Sequence, residues 1–349
     1  MKKKATMKDI ADVLGISVNA VSLALNNRKG ISEDLRLKVF EVARVHGYLD
    51  LNTRFTSAFE RYTFCVMLQG IYAHDSFYGK ILYAVEKAAR NNNYNILLYH
   101  FNDENMSVPD CVEKHYVSSI IILGKILSRN IDLLMSFHLN IIVIDHSPMR
   151  SHINCVLTDN MGGGSIATRY LIRAGFRRVG FFGDLSYSLS VKQRYYGFLE
   201  ALHNEGLVSL NEQAEYVRRY SITGEIERYI IEHNTDAIAA LLPSKFELPQ
   251  AYFCSNDSAA IVLINALHKK GIQVPQEVSI IGFDNIDLAE KIEPKLTTIN
   301  VNHELMGYKA VYRLIQMKNG QNEGVEHTVL GVELVERASV ALDHYKNNH

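Results

Sequence analysis

The sequence predicts an α/β protein, with an N-terminal helix-turn-helix domain followed by two doubly wound lobes that are each built on a parallel sheet. Residues 6–48 hold three short helical patterns, separated by a glycine and by a polar loop. From Thr63 onward, short and continuously apolar runs alternate with helical patterns, which is typical of parallel strands covered by helices on both faces. The predicted strands include residues 179–182, 237–242 and 251–254. This second region of about 285 residues is larger than one hydrophobic core usually serves, so we expect two lobes.

Domain boundaries follow from these changes of pattern. We expect the helix-turn-helix domain at residues 1–48, a linker without strong periodicity at residues 49–62 and the two-lobed body at residues 63–349. The predicted ranges are about 63–161 and 294–324 for lobe 1, and about 162–293 and 325–342 for lobe 2. The last segment of the body is expected to return across both lobes.

The first two helices of the head carry end signals. Helix one spans residues 7–14, with Thr6 as its N-cap and Asp9 three residues on, like a capping box with a short acid. Gly15 ends this helix, as glycine after a last turn usually does. Ser17 caps the second helix, which is predicted to run to Leu25.

The third helix, capped by Ser32 and spanning residues 33–46, braces the other two. This is the helix-turn-helix plan, whose second helix reads the major groove of DNA. In such a helix Asn19 can pair with adenine, and Val18 can contact a thymine methyl group, while polar side chains bind phosphates. The alternative is a small helical bundle whose polar face is merely solvated. The residues of these helices and their loops that we expect to contact DNA are Thr6, Ser17, Val18, Asn19, Ala20, Ser22, Leu23, Asn26, Ser32 and Arg36.

Charge is unevenly distributed along the chain. Residues 1–54 contain ten Lys and Arg against six Asp and Glu, whereas the rest of the chain contains 27 against 32. The formal net charge of -1 conceals this difference. A mildly basic head on an acidic body suggests a polyanionic partner for the head only.

Polar residues follow the predicted strands of the body at their carboxyl ends, where ligands bind in doubly wound sheets. Carboxylates accept hydrogen bonds from hydroxyl groups, arginine donates hydrogen bonds in a fixed fork, and aromatic rings stack on the apolar faces of sugars, so we expect a polyhydroxylated ligand. The alternative for each aspartate is helix capping or hydrogen bonding between the lobes. Asn256 and Asp257 in particular precede a helix as a cap would. The residues expected to bind the ligand are Asp75, Ser76, Phe77, Asp145, His146, Arg194, Tyr220, Asn256, Asp257, Phe283 and Asp284.

Catalytic and cofactor motifs are lacking from the sequence. It contains no Walker loop, dinucleotide-binding glycine fingerprint, nucleophile elbow or paired histidine motif. We therefore expect no enzyme activity, no cofactor and no metal. The run Gly162–Gly164 at a helix start favours close packing over anion binding. The four cysteines are far apart and are expected to be buried thiols in a reducing compartment.

The sequence shows neither a membrane span nor a secretion signal. No apolar run approaches the roughly twenty residues that span a bilayer. The N-terminus is basic but has no apolar signal region. We therefore expect a cytoplasmic protein with no membrane partner.

Ordered motifs along nearly the whole chain resemble the LacI/GalR (lactose-repressor) family. The head carries TMKDIADVLGISVNAVSLALNN and ISEDLRLKVFEVARVHGY, and the body carries VIDH, LTDN, RRVGF, CSND, SIIGFD, LTTI and ERAS. The resemblance implies a repressor that binds pseudo-palindromic operator DNA as a homodimer or a tetramer. Its body would be like a periplasmic sugar-binding protein, with a small-molecule effector between the lobes that alters operator affinity. Arg194 and Asp257 match the effector-contacting Arg and Asp of the family.

The linker departs from the family pattern. The family usually has a Tyr-x-Pro-Asn start and an Ala-Arg-Ser-Leu-like hinge helix, whose Leu wedges into the minor groove and kinks the DNA. This linker has no proline, and the comparable stretch is Thr53-Arg54-Phe55-Thr56. Either Phe55 is the wedge, which adds it to the expected DNA contacts, or the protein docks without the usual kink. Leu23 departs as well, because the family often has Arg there.

The residues and the resemblance together predict a sequence-specific DNA-binding transcriptional regulator, controlled by a sugar or sugar derivative bound between the lobes. Induction, corepression and gating by a partner protein all remain open. The alternative is a solute-binding protein or a sugar-acting enzyme with an incidental helical head.

Overall fold

The computed structural model describes residues 5–25, 30–46, 48, 62–73, 75–148, 152–321 and 324–341. Two of the expected DNA contacts, Asn26 and Phe55, lie outside these residues, as do residues 49–61 of the expected linker. Within the described ranges, no helix is long and apolar enough to cross a membrane.

The head is a three-helix domain with its own core. The Thr6 hydroxyl accepts a hydrogen bond from the backbone N–H of Asp9 at 3.4 Å, and the Asp9 carboxylate accepts one from the N–H of Thr6 at 2.6 Å, which confirms the capping box. Gly15 ends the first helix with φ 64°, a left-handed conformation that glycine adopts readily. The helices follow the predicted ranges and are α1 (Met7–Leu14), α2 (Val18–Leu25) and α3 (Glu33–Val45). The buried residues of the core are Ile10, Ala11, Val21, Ala24, Val39 and Ala43.

Lobe 1 is built on a parallel sheet of six strands, the last of which comes from the C-terminal segment. Its first five strands are β1 (Thr63–Gln69), β2 (Asn95–Phe101), β3 (Ser119–Leu123), β4 (Asn140–Ile144) and β5 (Asn154–Thr158). The helices between them are α4 (Ser76–Asn91), α5 (Asp110–Glu113) and α6 (Ser128–Met135). Every residue of β1 and β3 is buried, as expected of apolar strands inside a parallel sheet.

Lobe 2 is built on a three-stranded parallel sheet in the order β6–β7–β8. The strands are β6 (Val179–Phe182), β7 (Ala251–Cys254) and β8 (Ser279–Ile281). The helices of this lobe are α7 (Asn160–Arg173), α8 (Leu189–Asn204), α9 (Gln213–Tyr220), α10 (Glu227–Ile231), α11 (Thr235–Leu241) and α12 (Asp257–Lys269). A parallel bridge between Phe182 and Ile222 extends the sheet beyond β6.

The C-terminal segment crosses between the lobes, as predicted, but not at the predicted positions. Its elements are β9 (Thr298–Asn300), α13 (His303–Lys318), β10 (His327–Leu330) and β11 (Glu333–Val335). Strand β10, which we assigned to lobe 2, pairs with β5 in the first sheet, whose order is β10–β5–β4–β3–β1–β2. Strand β9, which we assigned to lobe 1, pairs with β11 and follows a bridge between Thr297 and Ile281 of lobe 2. The chain therefore passes between the lobes three times.

One strand prediction is wrong. We predicted a strand at residues 237–242, whereas these residues belong mainly to helix α11. The Asn234 side chain accepts a hydrogen bond from the N–H of Ala237 at 3.0 Å and caps this helix. Ile238 is fully buried while Leu241 is 45% exposed, so the short apolar run has one buried face, as an amphipathic helix does.

Candidate functional site

A cavity of about 410 Å³ lies between the two lobes, where the carboxyl ends of strands from both sheets meet. The residues expected to bind a ligand that do line it are Asp75, Ser76, Phe77, Asp145, His146, Arg194, Asn256 and Asp284. Tyr220, Asp257 and Phe283 do not line it. Further lining side chains, outside the residues expected to bind the ligand, are Tyr72, Tyr78, Lys125, Tyr187, Ser188, Ser190 and Glu227.

Asp75 has two roles at the lobe 1 wall. Its Oδ1 accepts hydrogen bonds from the backbone N–H of Phe77 at 2.8 Å and of Tyr78 at 3.2 Å, so it is the N-cap of α4. The capping alternative is therefore confirmed for this residue, although it also faces the cavity. Burial raises the pKa of its carboxyl group.

Asp145 follows β4 with a φ of 63°, a region that residues other than glycine seldom adopt. Its Oδ2 accepts a hydrogen bond from the hydroxyl of Tyr78 at 3.2 Å. Its Oδ1 is buried and has no hydrogen-bond partner in the part of the chain that the structure describes. Burial raises the pKa of Asp145 to about 6, and the positive charge of Arg194 opposes this rise.

Arg194 is held rigidly on α8 and is 4% exposed. Its Nε donates to Oδ1 of Asn160 at 2.8 Å, and its Nη1 donates to the backbone carbonyl of Ser255 at 2.7 Å. Nη2 lies 3.0 Å from a carboxylate oxygen of Asp284. The guanidinium carbon lies 3.7 Å from the centre of the Phe283 ring. These contacts fix the arginine fork at the wall of the cavity.

The glycines at the start of α7 make this arrangement possible. A Cβ atom on Gly164 would collide with the backbone carbonyl of Arg194, and one on Gly163 would collide with the ring of Phe283. Helices α7 and α8 therefore approach each other more closely than side chains would allow. This confirms the prediction that residues 162–164 serve close packing.

The position of Asp257 differs from the expectation, taken from the family resemblance, that it contacts the effector. It is fully buried, and its carboxylate accepts hydrogen bonds from the hydroxyl of Thr298 at 2.5 Å and from the N–H of Ile286 at 2.9 Å. Burial raises its pKa to about 7. Asp257 therefore holds the turn after β8 in place, and Asp284 in that turn is the carboxylate that reaches the cavity and Arg194.

Two aromatic residues were also expected at the cavity wall and are not there. Phe283 is fully buried and supports the Arg194 guanidinium from behind. Tyr220 lies at the end of α9, where its ring packs against that of Tyr216 with centroids 4.9 Å apart. The aromatic residues that do line the cavity are the expected Phe77 and, in addition, Tyr72, Tyr78 and Tyr187.

Glu227 is an acidic lining residue that sequence reasoning missed. It begins α10, is 8% exposed, and its Oε2 has no hydrogen-bond partner among the described residues. Burial raises its pKa to about 7, and the neighbouring Asp184 adds to the rise. The strand-end rule would have found it, because Ile222 pairs with β6 a few residues earlier. A single bridging residue is too short to show as a strand pattern.

Direct contacts bridge the lobes on both sides of the cavity. On one side the Tyr187 hydroxyl donates to the Tyr72 hydroxyl at 3.0 Å, and Nζ of Lys125 donates to the carbonyl of Tyr187 at 3.3 Å. On the other side Lys80 donates to the carbonyl of Asn285 at 3.1 Å and lies 2.8 Å from the carboxylate of Asp287. These bridges hold the two walls of the cavity against each other.

The second candidate surface is the N-terminal end of α2. Ser17, Val18 and Asn19 are exposed there, and the side chains of Ala20, Ser22 and Leu23 are half-buried. The Ser17 hydroxyl accepts a hydrogen bond from the N–H of Ala20 at 3.0 Å, which fixes the start of the helix. In the same way the hydroxyl of the exposed Ser32 accepts one from the N–H of Leu35 at 3.3 Å. The geometry is that of a helix whose polar tip is free to enter a groove.

Arg36 is placed differently from the expectation. It is 6% exposed, and its Nη1 donates to the backbone carbonyls of Leu23 and Ala24, both at 3.3 Å. It therefore satisfies carbonyl groups at the C-terminal end of α2, where a positive charge is also favourable. This position argues against a phosphate contact by Arg36.

Family models match both parts of the chain. The model described as "Bacterial regulatory proteins, lacI family" matches residues 6–50, and the model described as "Periplasmic binding protein-like domain" matches residues 168–340. The chain therefore joins a lacI-family helix-turn-helix domain to a periplasmic-binding-protein-like domain. It is a DNA-binding transcriptional regulator, so the predicted fold class and general function are confirmed.

Related proteins match over nearly the whole chain. A repressor named PurR from Pasteurella multocida is 27% identical over 349 residues, which cover 96% of this chain and 98% of that protein. A repressor named CytR from Escherichia coli is 28% identical over 340 residues, which cover 96% of each. Both names describe transcriptional repressors with a helix-turn-helix.

Solved structures share the fold of this chain. The lac repressor dimer bound to operator and an anti-inducer is 20% identical, with a TM-score of 0.67 over 97% of this chain and 100% of that one. The regulator CelR in complex with cellobiose is 21% identical, with a TM-score of 0.64 over 96% of this chain and 99% of that one.

Proposed function

We propose that this protein represses transcription by placing α2 in the major groove of operator DNA, and that a sugar or sugar derivative in the cavity between the lobes sets its operator affinity. The observation that carries the proposal is the combination, in one chain, of an exposed recognition helix with an enclosed polar cavity. Relatives named as repressors support the first part. A related regulator with bound cellobiose and one with bound ribose support the second.

At the DNA, the exposed tip of α2 supplies the specificity. Asn19 pairs with adenine through its amide group, and Val18 contacts a thymine methyl group. Backbone phosphates are bound by hydroxyl and other groups around the tip, which fix the position of the helix. For this second role we propose Thr6, Ser17, Ser22 and Ser32, together with Asn26. We propose Ala20 and Leu23 as apolar contacts in the major groove, and Phe55 as a minor-groove contact.

In the cavity, the fixed fork of Arg194 and the carboxylates of Asp75, Asp145 and Asp284 bind hydroxyl groups of the ligand. Phe77 and His146 supply ring faces, and Ser76 and Asn256 complete the polar wall. The ligand binds one arrangement of the lobes better than the other, which shifts the spacing or order of the heads. A coupling of about 1–3 kcal/mol changes operator affinity by about five- to 150-fold.

The assembly we propose is a homodimer, or a tetramer made of two such dimers, acting in the cytoplasm. Two heads related by a twofold axis read two half-sites that lie one helical turn or a multiple of it apart. A pseudo-palindromic operator is therefore expected.

Selection of DNA from a random double-stranded library by the purified full-length protein tests this proposal. We expect an enriched sequence with twofold symmetry. Its binding should weaken steeply with salt, since the logarithm of affinity falls by about 0.9 for each phosphate contact per tenfold rise in salt. A shuffled sequence of equal length is the matched control. Failure to bind any DNA at low salt would reject the proposal in favour of a solute-binding protein.

A further inference from the structure

Carboxyl groups outnumber cations on the wall of the cavity. Of the described lining residues, the cations are Arg194 and Lys125, and the carboxyl groups are those of Asp75, Asp145, Glu227 and Asp284. Two more carboxyl groups, those of Asp184 and Asp257, lie directly behind the wall and are buried. His146 and His233 also line the cavity, and burial lowers the pKa of His146 below its usual range.

Both lining cations already contact acceptors of the protein. Each nitrogen of the Arg194 guanidinium has one partner, namely Asn160, the Ser255 carbonyl and Asp284, so its charge is partly offset and only its remaining N–H groups face a ligand. Lys125 is exposed at the mouth, where it donates to the carbonyl of Tyr187. A phosphate or carboxylate on the ligand would therefore meet mainly carboxylates, which repel it.

Two buried acceptors of the wall lack donors. Oε2 of Glu227 and Oδ1 of Asp145 have no hydrogen-bond partner among the residues that the structure describes. Glu227 is 8% exposed, so solvent does not readily replace the missing donor. A buried acceptor without a donor is unfavourable, so these two carboxyl groups mark where donor groups of a ligand belong.

Asp145 and Glu227 line the same cavity, together with Asp75. The negative charge of Asp75 contributes to the raised pKa of both Asp145 and Glu227, so the three carboxyl groups lie within electrostatic range of one another. Arg194 opposes the rise at both, Tyr78 donates to Asp145, and Asp184 adds to the rise at Glu227. Ionisation of these carboxyl groups is therefore unfavourable in the ligand-free wall, and a positive charge placed among them would favour it.

We propose that the ligand carries an ammonium group, as an amino sugar does, and that this group binds among Asp75, Asp145 and Glu227. The inference rests on the proposed function, because it names the chemical class of the molecule that acts on operator affinity. An ammonium group has three donors and one positive charge, so it satisfies unpartnered acceptors and reduces the repulsion between the carboxylates. A neutral hydroxyl group has one donor and no charge, so it can satisfy only one of these acceptors and does not reduce the repulsion between the carboxylates.

The rest of the cavity fits the remainder of an amino sugar. Its volume lies in the range of small-molecule sites. The fork of Arg194 with Asp284 is placed to bind hydroxyl groups, and Tyr72, Phe77 and Tyr187 provide aromatic surface for the apolar face of the ring.

Matched compounds test this class of ligand. Glucosamine, galactosamine and mannosamine are each compared with the N-acetylated, hydroxyl and 6-phosphorylated forms by calorimetry on the full-length protein. The proposal expects at least one amine to bind about tenfold or more tighter than each of its three partners, which is the strength of a charge-assisted over a neutral contact. The affinity of the amine should fall as the pH is lowered from 7 to 5, because Asp145 and Glu227 then gain protons.

Two variants test whether Glu227 in the cavity wall causes the preference for the amine. Glu227→Gln keeps the size of the side chain and removes its charge, and should abolish the preference for the amine and flatten its pH dependence. Glu225→Gln is the control, because Glu225 is exposed two residues away and does not line the cavity. Melting temperatures of both variants near that of the wild type show that the fold is intact.

Several results would overturn the inference. The inference is rejected if a neutral or phosphorylated form binds as tightly as the corresponding amine. It is also rejected if Glu227→Gln keeps the preference of the wild type for the amine. Absence of binding by every amine at about 20 mM also rejects it, since three carboxylates should give at least a millimolar dissociation constant. None of these results touches the proposed function, which fails separately if the protein binds no operator DNA.

Discussion

At the tip of α2, Asn19 is an exposed side chain whose amide can both donate to and accept from adenine. We expect Asn19→Ala to weaken binding to the selected operator by about 1–3 kcal/mol, with little change on random DNA. Fluorescence anisotropy with labelled operator measures this difference. Equal losses on operator and random DNA would contradict base recognition and make Asn19 a phosphate contact. Asp12→Ala serves as the control, because Asp12 is exposed on α1.

Glu227 gives the body a predictable response to pH. Its pKa is raised to about 7 from an ordinary value of 4.5, so the folded state binds its proton more tightly than the unfolded state does. Between these two values stability must fall as pH rises, because ionisation is less favourable in the fold. We expect the ligand-free protein to melt at a higher temperature near pH 5 than near pH 7.5. Glu227→Gln should lessen this dependence, and an unchanged slope would contradict the assignment.

Single residues of the cavity were partly predictable. The strand-end rule identified Asp75, Asp145 and Asp284, because the carboxyl ends of parallel strands share one edge of a sheet. It failed at Asp257, since a residue in the first turn of a helix can face either the cavity or the core. Asp257 faces the core because it accepts hydrogen bonds from Ile286 and Thr298. These partners are distant in the sequence, so the local pattern around Asp257 does not predict them.

The contact between α7 and α8 is the element on which the position of Arg194 depends. We expect Gly164→Ala to lower the free energy of unfolding by about 1–3 kcal/mol, because the new methyl group collides with the Arg194 carbonyl. Displacement of α8 should also weaken ligand binding. Urea denaturation measures the first effect and calorimetry the second.

Gly79 provides the matched control for this substitution. It lies inside α4, and a Cβ atom there would have no neighbour within 4 Å. Gly79→Ala should therefore stabilise the protein by about 0.5–1 kcal/mol through helix propensity. Equal effects of the two substitutions would show that the close approach of α7 and α8 does not restrict residue size.

Most elements were predictable because they are long or continuously apolar. The ranges 179–182 and 251–254 were predicted as the structure has them, since four apolar residues bounded by turns are typical of buried parallel strands. The strand predicted at residues 237–242 was wrong, because six apolar residues do not reveal a period. Helix α9 was missed, since it contributes no fully buried residue and lacks a strong apolar stripe.

At the scale of the whole molecule, three chain crossings join the lobes. The first and third are tied together by a hydrogen bond from the N–H of Asp159 to the carbonyl of Leu330 at 2.9 Å. The sequence predicted a return of the last segment but assigned β9 and β10 to the wrong lobes. A strand of three or four residues has too short a sequence pattern to show which strand it pairs with. The sheet to which it belongs is decided by packing against residues that are distant in the sequence.

We propose above all that a ligand in the cavity controls the operator affinity of the DNA-binding head. The direct test is a titration of labelled operator with the wild type and with Arg194→Ala, each with and without the sugar or amino sugar that binds the wild type most tightly. Arg218→Ala is the control, since its side chain is 77% exposed. We predict that the ligand changes the operator affinity of the wild type and of the control by about five- to 150-fold. Arg194→Ala should bind operator as the wild type does and show no response. A retained response in Arg194→Ala, or a ligand that fills the cavity of the wild type without changing its operator affinity, would contradict the account.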